Sequence, residues 1–202
     1  MTDHVQVHFQ GSNILSRGPD RKTVYITFDD GPGKYTDAIL NILSRHGAEA
    51  TFFWNTSRLY DGRPWKRLLQ EGHALGTHAH KHVNLETASW EEKVYQLDTS
   101  IRLMEDITGI RPDLFRPPYG RYNDELTALA GACRLQTVLW NTTSFDWELK
   151  HDPQQIAVNS LTAAGGDILL LHELPQTVEV LDDIVTELKE KGYALKALPG
   201  SS

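Results

Sequence analysis

Hydrophobic and polar positions along this chain switch between two periods, and the switches mark out its elements. Thr23-Val24-Tyr25-Ile26 is an apolar, β-branched run that predicts a buried strand. Over residues 35–46, Ala38, Ile39, Ile42 and Leu43 fall at helical spacing, and Gly47 supplies the stop. Residues 50–54 read as a second strand and 74–77 as a third, with a short helix over 65–71 between them, led by Pro64. The longest amphipathic segment is 89–108. Ser89 and Glu92 form a capping box, and Val94, Leu97, Ile101, Met104 and Ile107 build one apolar face that ends at Gly109. Strands over 114–116, 136–140, 167–172 and 193–195 then alternate with helices over 124–131, 153–164 and 178–191.

Seven strands separated by helices predict an α/β domain with a parallel sheet, closed or nearly closed into a barrel. The 202 residues are 40% hydrophobic, enough for one sizeable core. Residues 21–198 are therefore assigned to a single domain, and residues 1–20 to a tag remnant or flexible N-terminal segment. The net charge of -7 argues against nucleic acid or an anionic membrane as partner. No apolar run is long enough to span a bilayer. The single cysteine, Cys133, excludes an internal disulfide and reads as a small buried hydrophobe. A monomer is expected. No secretory leader is legible, so location stays open: extracellular, cell-wall or periplasmic if a leader has been trimmed, cytoplasmic otherwise.

The unusual residues gather at the C-terminal ends of the predicted strands, where barrels of this type place active sites. The first group is Thr27-Phe28-Asp29-Asp30-Gly31-Pro32. Adjacent carboxylates at the end of a buried strand repel one another and resist desolvation, so something must offset them, most simply a cation. One can then bind metal while the other takes a proton. The second group is Gly76-Thr77-His78-Ala79-His80-Lys81-His82. His78 and His82 are four apart and share one face if the segment makes a helical turn. Two imidazoles and a carboxylate leave an open position, the pattern of a catalytic zinc site. Arg116, Tyr119, Asp146, Trp147 and His172 occupy other strand ends. Singly, each has a plainer role open to it: Arg116 a surface charge, Trp147 core, His172 a satisfied core histidine. Jointly, at strand ends, they point to a site.

These motifs, in order, resemble the polysaccharide deacetylase family (carbohydrate esterase family 4, the NodB homology domain). Asp29-Asp30-Gly31-Pro32 matches its first motif, and Gly76 through His82 with Leu85 its second. Arg116-Pro117-Pro118-Tyr119-Gly120 matches its third, Asp146-Trp147 the end of its fourth and Ile168 through Glu173 its fifth. The resemblance implies a distorted (β/α) barrel of about seven strands. It also implies a divalent metal, usually zinc, with cobalt, nickel or manganese as alternatives, and the removal of acetyl groups from sugars. Carried over by position, Asp30, His78 and His82 would bind the metal. Asp29 would be the general base, held by Arg116, and His172 the general acid, tuned by Asp146. Tyr119 would offer its backbone N–H to the oxyanion, and Pro118, Trp147 and Leu170 would shape the substrate pocket.

The implied substrate is N-acetylglucosamine in peptidoglycan or a chitin-like glycan. An O-acetyl esterase of the xylan type, a degenerate glycan-binding module and a metal-free amide hydrolase are the alternatives. Four positions depart from the family pattern. Ala79 stands where Ser or Thr is usual, which predicts a lost loop hydrogen bond and a looser metal site. Thr143 stands where the fourth motif begins with Asp, so the surrounding wall differs. Thr77 and Asn55 read as loop variation.

Overall fold

The computed structural model describes residues 14–200. Six α-helices surround a curled parallel sheet. In chain order the elements are β1 (Ile14–Leu15), β2 (Thr23–Gly31), α1 (Thr36–His46), β3 (Thr51–Trp54), α2 (Trp65–Gln70), β4 (Ala74–Thr77), α3 (Trp90–Thr108), β5 (Leu114–Phe115), α4 (Asp124–Ala132), β6 (Gln136–Val138), β7 (Thr142–Thr143), α5 (Pro153–Ser160), β8 (Ile168–His172), α6 (Pro175–Glu190) and β9 (Ala194–Leu195). The strand order is β1-β6-β5-β4-β3-β2-β8-β7, with β9 paired to the start of β2. Every pairing is parallel. This is the distorted, NodB-like (β/α) barrel that the sequence implies.

Two strands were not legible in the pattern. β1 and β7 are two residues each, too short to show a period. Residues 14–20, grouped above with the N-terminal segment, pack against the barrel. Ile14 and Leu15 pair with Thr137 and Val138, and the Gly18 N–H donates to Gly166 O. The rest of that segment, residues 1–13, lies outside the described residues. The strand expected to run to residue 140 stops at Val138 because the chain there crosses the barrel mouth. From β6, beside one sheet edge, to β7 at the other edge takes four residue steps, at most about 14 Å. Leu139 N–H bonds Leu15 O on β1, and Asn141 N–H bonds Ile168 O on β8, so residues 139–141 tie the edges together. α6 starts three residues earlier than expected, with Pro175 in its first turn, where proline's fixed φ suits a helix start.

Packing follows the two periods. On β2, Val24, Ile26 and Phe28 face the helices and join Leu43 of α1 and Val180, Leu181, Ile184 and Leu188 of α6 in the main core. Tyr25 faces the barrel interior with Phe53, Leu114, Val138 and Ile168. Side chains alternate across a strand, so Thr27 and Asp29 share the interior side with Tyr25. β8 runs in register beside β2, with Tyr25 opposite Ile168, Thr27 opposite Leu170 and Asp29 opposite His172. Alternation and register alone therefore bring Asp29 and His172 side by side at the C-terminal rim. Gly76 makes room below them: a Cβ there would stand 2.7 Å from the Phe53 ring.

Asp167 braces the closure at the opposite end. It accepts from the Asn141 amide (2.6 Å), the Thr142 hydroxyl (2.9 Å) and the Ala164 N–H (3.0 Å), and pairs with Arg17 at 2.9 Å. Burial works against its charge, but these partners hold the carboxyl below its ordinary value. A depressed folded-state pKa gives stability that is present above the unfolded value of about 3.9 and is lost as pH falls through the folded value. Asp167→Asn is expected to lose about 1–3 kcal/mol at neutral pH. The gap from wild type should close as acid protonates Asp167, which urea unfolding across pH measures directly.

Candidate active site

β2 ends in a bulge. Its register against β3 shifts between Asp29 and Gly31, and Asp30, the extra residue, has φ 69°. A left-handed conformation is costly for a residue with a Cβ, and a bulge of this kind re-aims a side chain. The consequence breaks the strict alternation: consecutive carboxylates, Asp29 and Asp30, both reach one cleft. That cleft has a volume of about 400 Å3 and is lined by Asp29, Asp30, His82, Tyr119, Arg121, Trp140, Trp147, Leu170 and His172.

Asp30 meets the two predicted histidines. Its Oδ1 lies 3.7 Å from His78 Nε2 and 3.5 Å from His82 Nε2, and one ligand atom from each residue falls within 4.8 Å of the others. The expectation of a helical turn is not met, because the segment after β4 is irregular and Ala79 has φ 63°. Convergence comes instead from that left-handed turn and from the Tyr119 ring, 4.3 Å edge-on to His82. His78 is fully buried, and its Nδ1 lies 2.7 Å from the Arg116 carbonyl. The carbonyl can only accept, so Nδ1 carries the proton and Nε2 presents its lone pair to the cluster. Burial drives the His78 pKa down to about 3, which keeps the ring neutral.

The donor set fits a divalent cation. It joins two neutral-imidazole nitrogens to one carboxylate, a combination suited to zinc and its neighbours. The buried Asp30 Oδ1 has no hydrogen-bond partner, an unsatisfied acceptor aimed at the histidine nitrogens.

Asp29 stands on the interior side. It is buried, and its Oδ1 accepts from Arg116 Nη1 at 2.8 Å. Burial pushes its carboxyl above the ordinary value, and the Arg116 and His172 charges oppose this without cancelling it. Across the cleft, Asp146 is fully buried and takes the His172 Nδ1 at 2.7 Å, the His172 backbone N–H at 2.7 Å and the Thr177 hydroxyl at 2.6 Å. Burial disfavours the His172 cation, but the hydrogen bond and charge of Asp146, with Asp29 and Asp30 nearby, outweigh it and raise the pKa. With Nδ1 engaged, Nε2 is left for the cleft.

Other predicted residues divide. Leu170 and Trp147 line the cleft, with the Trp147 ring 5.2 Å from His172. Tyr119 lines it at φ 62°. Pro118 is buried and is not part of the lining. Arg116 is no surface charge but wholly buried. Two lining residues, Arg121 and Trp140, were missed; Arg121 follows the third motif directly, and Trp140 lay inside an expected strand. Asn55 was misread as loop variation: its amide donates to the His78 carbonyl at 2.6 Å. Ala79 gives the loop no side-chain hydrogen bond. It is buried against the cluster of Leu85, Leu97 and Phe115, and its carbonyl accepts from Thr56 N–H.

The polysaccharide deacetylase family model matches residues 16–138. The chain belongs to the polysaccharide deacetylase family. Among curated relatives it is similar to a peptidoglycan-N-acetylglucosamine deacetylase of Bacillus cereus, 36% identical over 192 residues, covering 89% of this chain and 70% of that protein. It is also similar to the peptidoglycan-N-acetylmuramic acid deacetylase PdaC of Bacillus subtilis, 33% identical over 180 residues. That match covers 88% of this chain but spans only 38% of PdaC's length. Among solved structures, a CE4 family pseudoenzyme from Bacillus anthracis superposes with a TM-score of 0.83 at 29% identity, covering 93% of this chain and 68% of the other.

Saturating zinc should stabilise a family member with this cluster. At a hundredfold excess over the dissociation constant, the gain is about 2.7 kcal/mol. Thermal melts should show it for wild type, and Asp30→Ala and His78→Ala should lose most of it. An equal shift in all three proteins would place zinc elsewhere.

Proposed function

We propose that the protein is a metal-dependent hydrolase that removes the N-acetyl group from N-acetylglucosamine units of a glycan, with zinc as the metal. The observation that carries this is the partnerless Asp30 Oδ1 beside two imidazole nitrogens, in a cleft that Asp29 and His172 also line. The names of the B. cereus and B. subtilis relatives support peptidoglycan as the glycan. A cell-wall substrate would require the protein to work outside the cytoplasmic membrane.

Asp30, His78 and His82 would hold a divalent cation, which supplies Lewis acidity to the acetyl carbonyl and the attacking water. Asp29 takes the proton from that water as the C–O bond forms. Arg116 fixes the carboxylate through Nη1 and so orients the free oxygen. His172 Nε2 gives a proton to the sugar nitrogen as the C–N bond breaks, releasing acetate and a free amine. Asp146 holds that ring in the required tautomer and keeps it protonated at higher pH than an ordinary histidine. Trp147 and Leu170 close around the acetyl methyl group.

The pseudoenzyme likeness favours one second reading, a module that binds glycan without turnover. Acetate and free-amine release from an N-acetylglucosamine pentamer separates the two. The zinc-loaded protein should turn it over, and Asp29→Asn should lower kcat by about 10²–10⁴. Binding with no acetate from either the pentamer or peptidoglycan would overturn the enzyme reading. The pH profile tests His172 separately. Activity that needs its proton falls as pH rises through its pKa, which lies above about 6.5. Asp146→Asn removes the anion that raises it, so the alkaline limb should move to lower pH; an unmoved limb would remove His172 from the acid role.

A further inference from the structure

We infer that Glu173 is a positioning residue for the metal centre, a buried clamp that holds the strained turn carrying Asp30. This rests on the metal-centre reading above. Glu173 directly follows His172 and is buried behind the turn. Its backbone N–H reaches Asp29 O at 3.4 Å. Its side chain engages the other end of the same turn. Oε2 accepts from Gly33 N–H at 3.1 Å and from the Thr36 hydroxyl, while Oε1 accepts from Trp54 Nε1–H at 2.8 Å. One residue therefore spans the chain on both sides of Asp30.

The fit is close. A Cβ at Gly31 would lie 1.9 Å from Glu173 Oε1 and 2.4 Å from Trp54 Nε1, so the carboxylate rests where only glycine leaves space. The turn needs such support. Asp30 has φ 69°, a conformation that persists only where the surroundings impose it. Asn55 N–H bonds Gly31 O at 2.8 Å and Arg58 Nη1 bonds Asp30 O at 2.7 Å, but neither reaches Gly33 or Thr36. Glu173 joins the turn at once to the start of α1, to β3 through Trp54, and to the β8 end that bears His172. The buried acid does not line the cleft, which assigns it to geometry and not to the reaction itself. Partners that orient metal ligands from behind typically change metal affinity by about 10–100-fold when removed.

Glu173→Gln keeps the shape but turns an N–H donor toward the Trp54 indole or toward Gly33 and Thr36. The test is zinc affinity by competition with a chromogenic chelator, alongside the melting temperature of the metal-free protein. Glu173→Gln should bind zinc about 10–100-fold more weakly than wild type. Should that variant fail to fold, a milder pair answers the same question. Thr36→Val, which removes the hydroxyl that bonds both Glu173 and Gly33, should weaken zinc several-fold, and Thr36→Ser, which restores the hydroxyl, should recover it. Wild-type zinc affinity in a folded Glu173→Gln, or equal affinity in Thr36→Val and Thr36→Ser, would reduce Glu173 to a core contact and overturn the clamp. A wild type that binds no zinc would overturn the metal-centre reading itself, and the clamp with it.

Discussion

The arrangement depends first on the buried ion pair between Arg116 and Asp29. A guanidinium with no exposure to solvent needs its charge answered. Asp29 answers the charge at 2.8 Å, the Thr27 hydroxyl shares Nη1 at 2.7 Å, and the Leu139 carbonyl takes Nη2 at 3.1 Å, while the buried Nε has no hydrogen-bond partner. The flat face lies 4.2 Å from the Phe53 ring centre, in the space that Gly76 leaves open. The backbone of the same residue adds two more bonds. Its N–H holds Thr77 O on β4, and its carbonyl holds the Nδ1 proton of His78. One residue thus fixes Asp29, sets the tautomer of His78 and anchors the segment that closes the barrel. Removing the side chain would strand a buried carboxylate, so damage there would spread to all three.

Around that rigid centre the loops are strained. Asp30, Ala79, Tyr119 and Phe145 all have positive φ; Asp30 lies at the end of β2 and the other three follow β4, β5 and β7. Each such residue costs on the order of 1–3 kcal/mol, held in place by its surroundings. The strands provide that hold. β2, β3 and β8 are paired along their lengths and almost wholly buried, so their ends are fixed points from which short, unfavourable turns can be hung. Strain concentrated at one rim is what allows Asp29 and Asp30 to serve a single cleft from adjacent positions.

Much of this was legible in the sequence because it rests on local chemistry. Ser89 caps α3 by accepting from Glu92 N–H, as the Ser-x-x-Glu spacing predicts, and Leu97, Ile101 and Met104 are buried as their period requires. The Asp30, His78 and His82 cluster was legible as a group because all three residues sit in motifs at the ends of strands. What escaped has a common cause. The bulge at Asp30, the tie of Asn55 to the His78 carbonyl and the three donors to Glu173 are contacts between segments far apart in sequence. No period or spacing encodes them. The loop after His78 shows the limit in reverse: i, i+4 reasoning chose the pair of histidines that meets Asp30, on the assumption of a helical turn that is not there.

The neighbours sharpen the question of what the fold itself decides. A pseudoenzyme shares it at a TM-score of 0.83, and so does a mutant of that pseudoenzyme with restored enzymatic activity. Fold likeness is therefore silent on turnover, and the decision falls to a few side chains at the rim. Here each carboxylate and imidazole of the cluster sits in an environment that suits a different task. Burial lowers the pKa of His78, while Asp146 raises that of His172 against burial. Two imidazoles on one rim, driven in opposite directions by their surroundings, are hard to explain by packing alone. Packing would be served as well by two apolar residues, without the expense of a buried Asp146 and an unpartnered Asp30 oxygen. That expense is the strongest argument that this chain keeps its chemistry.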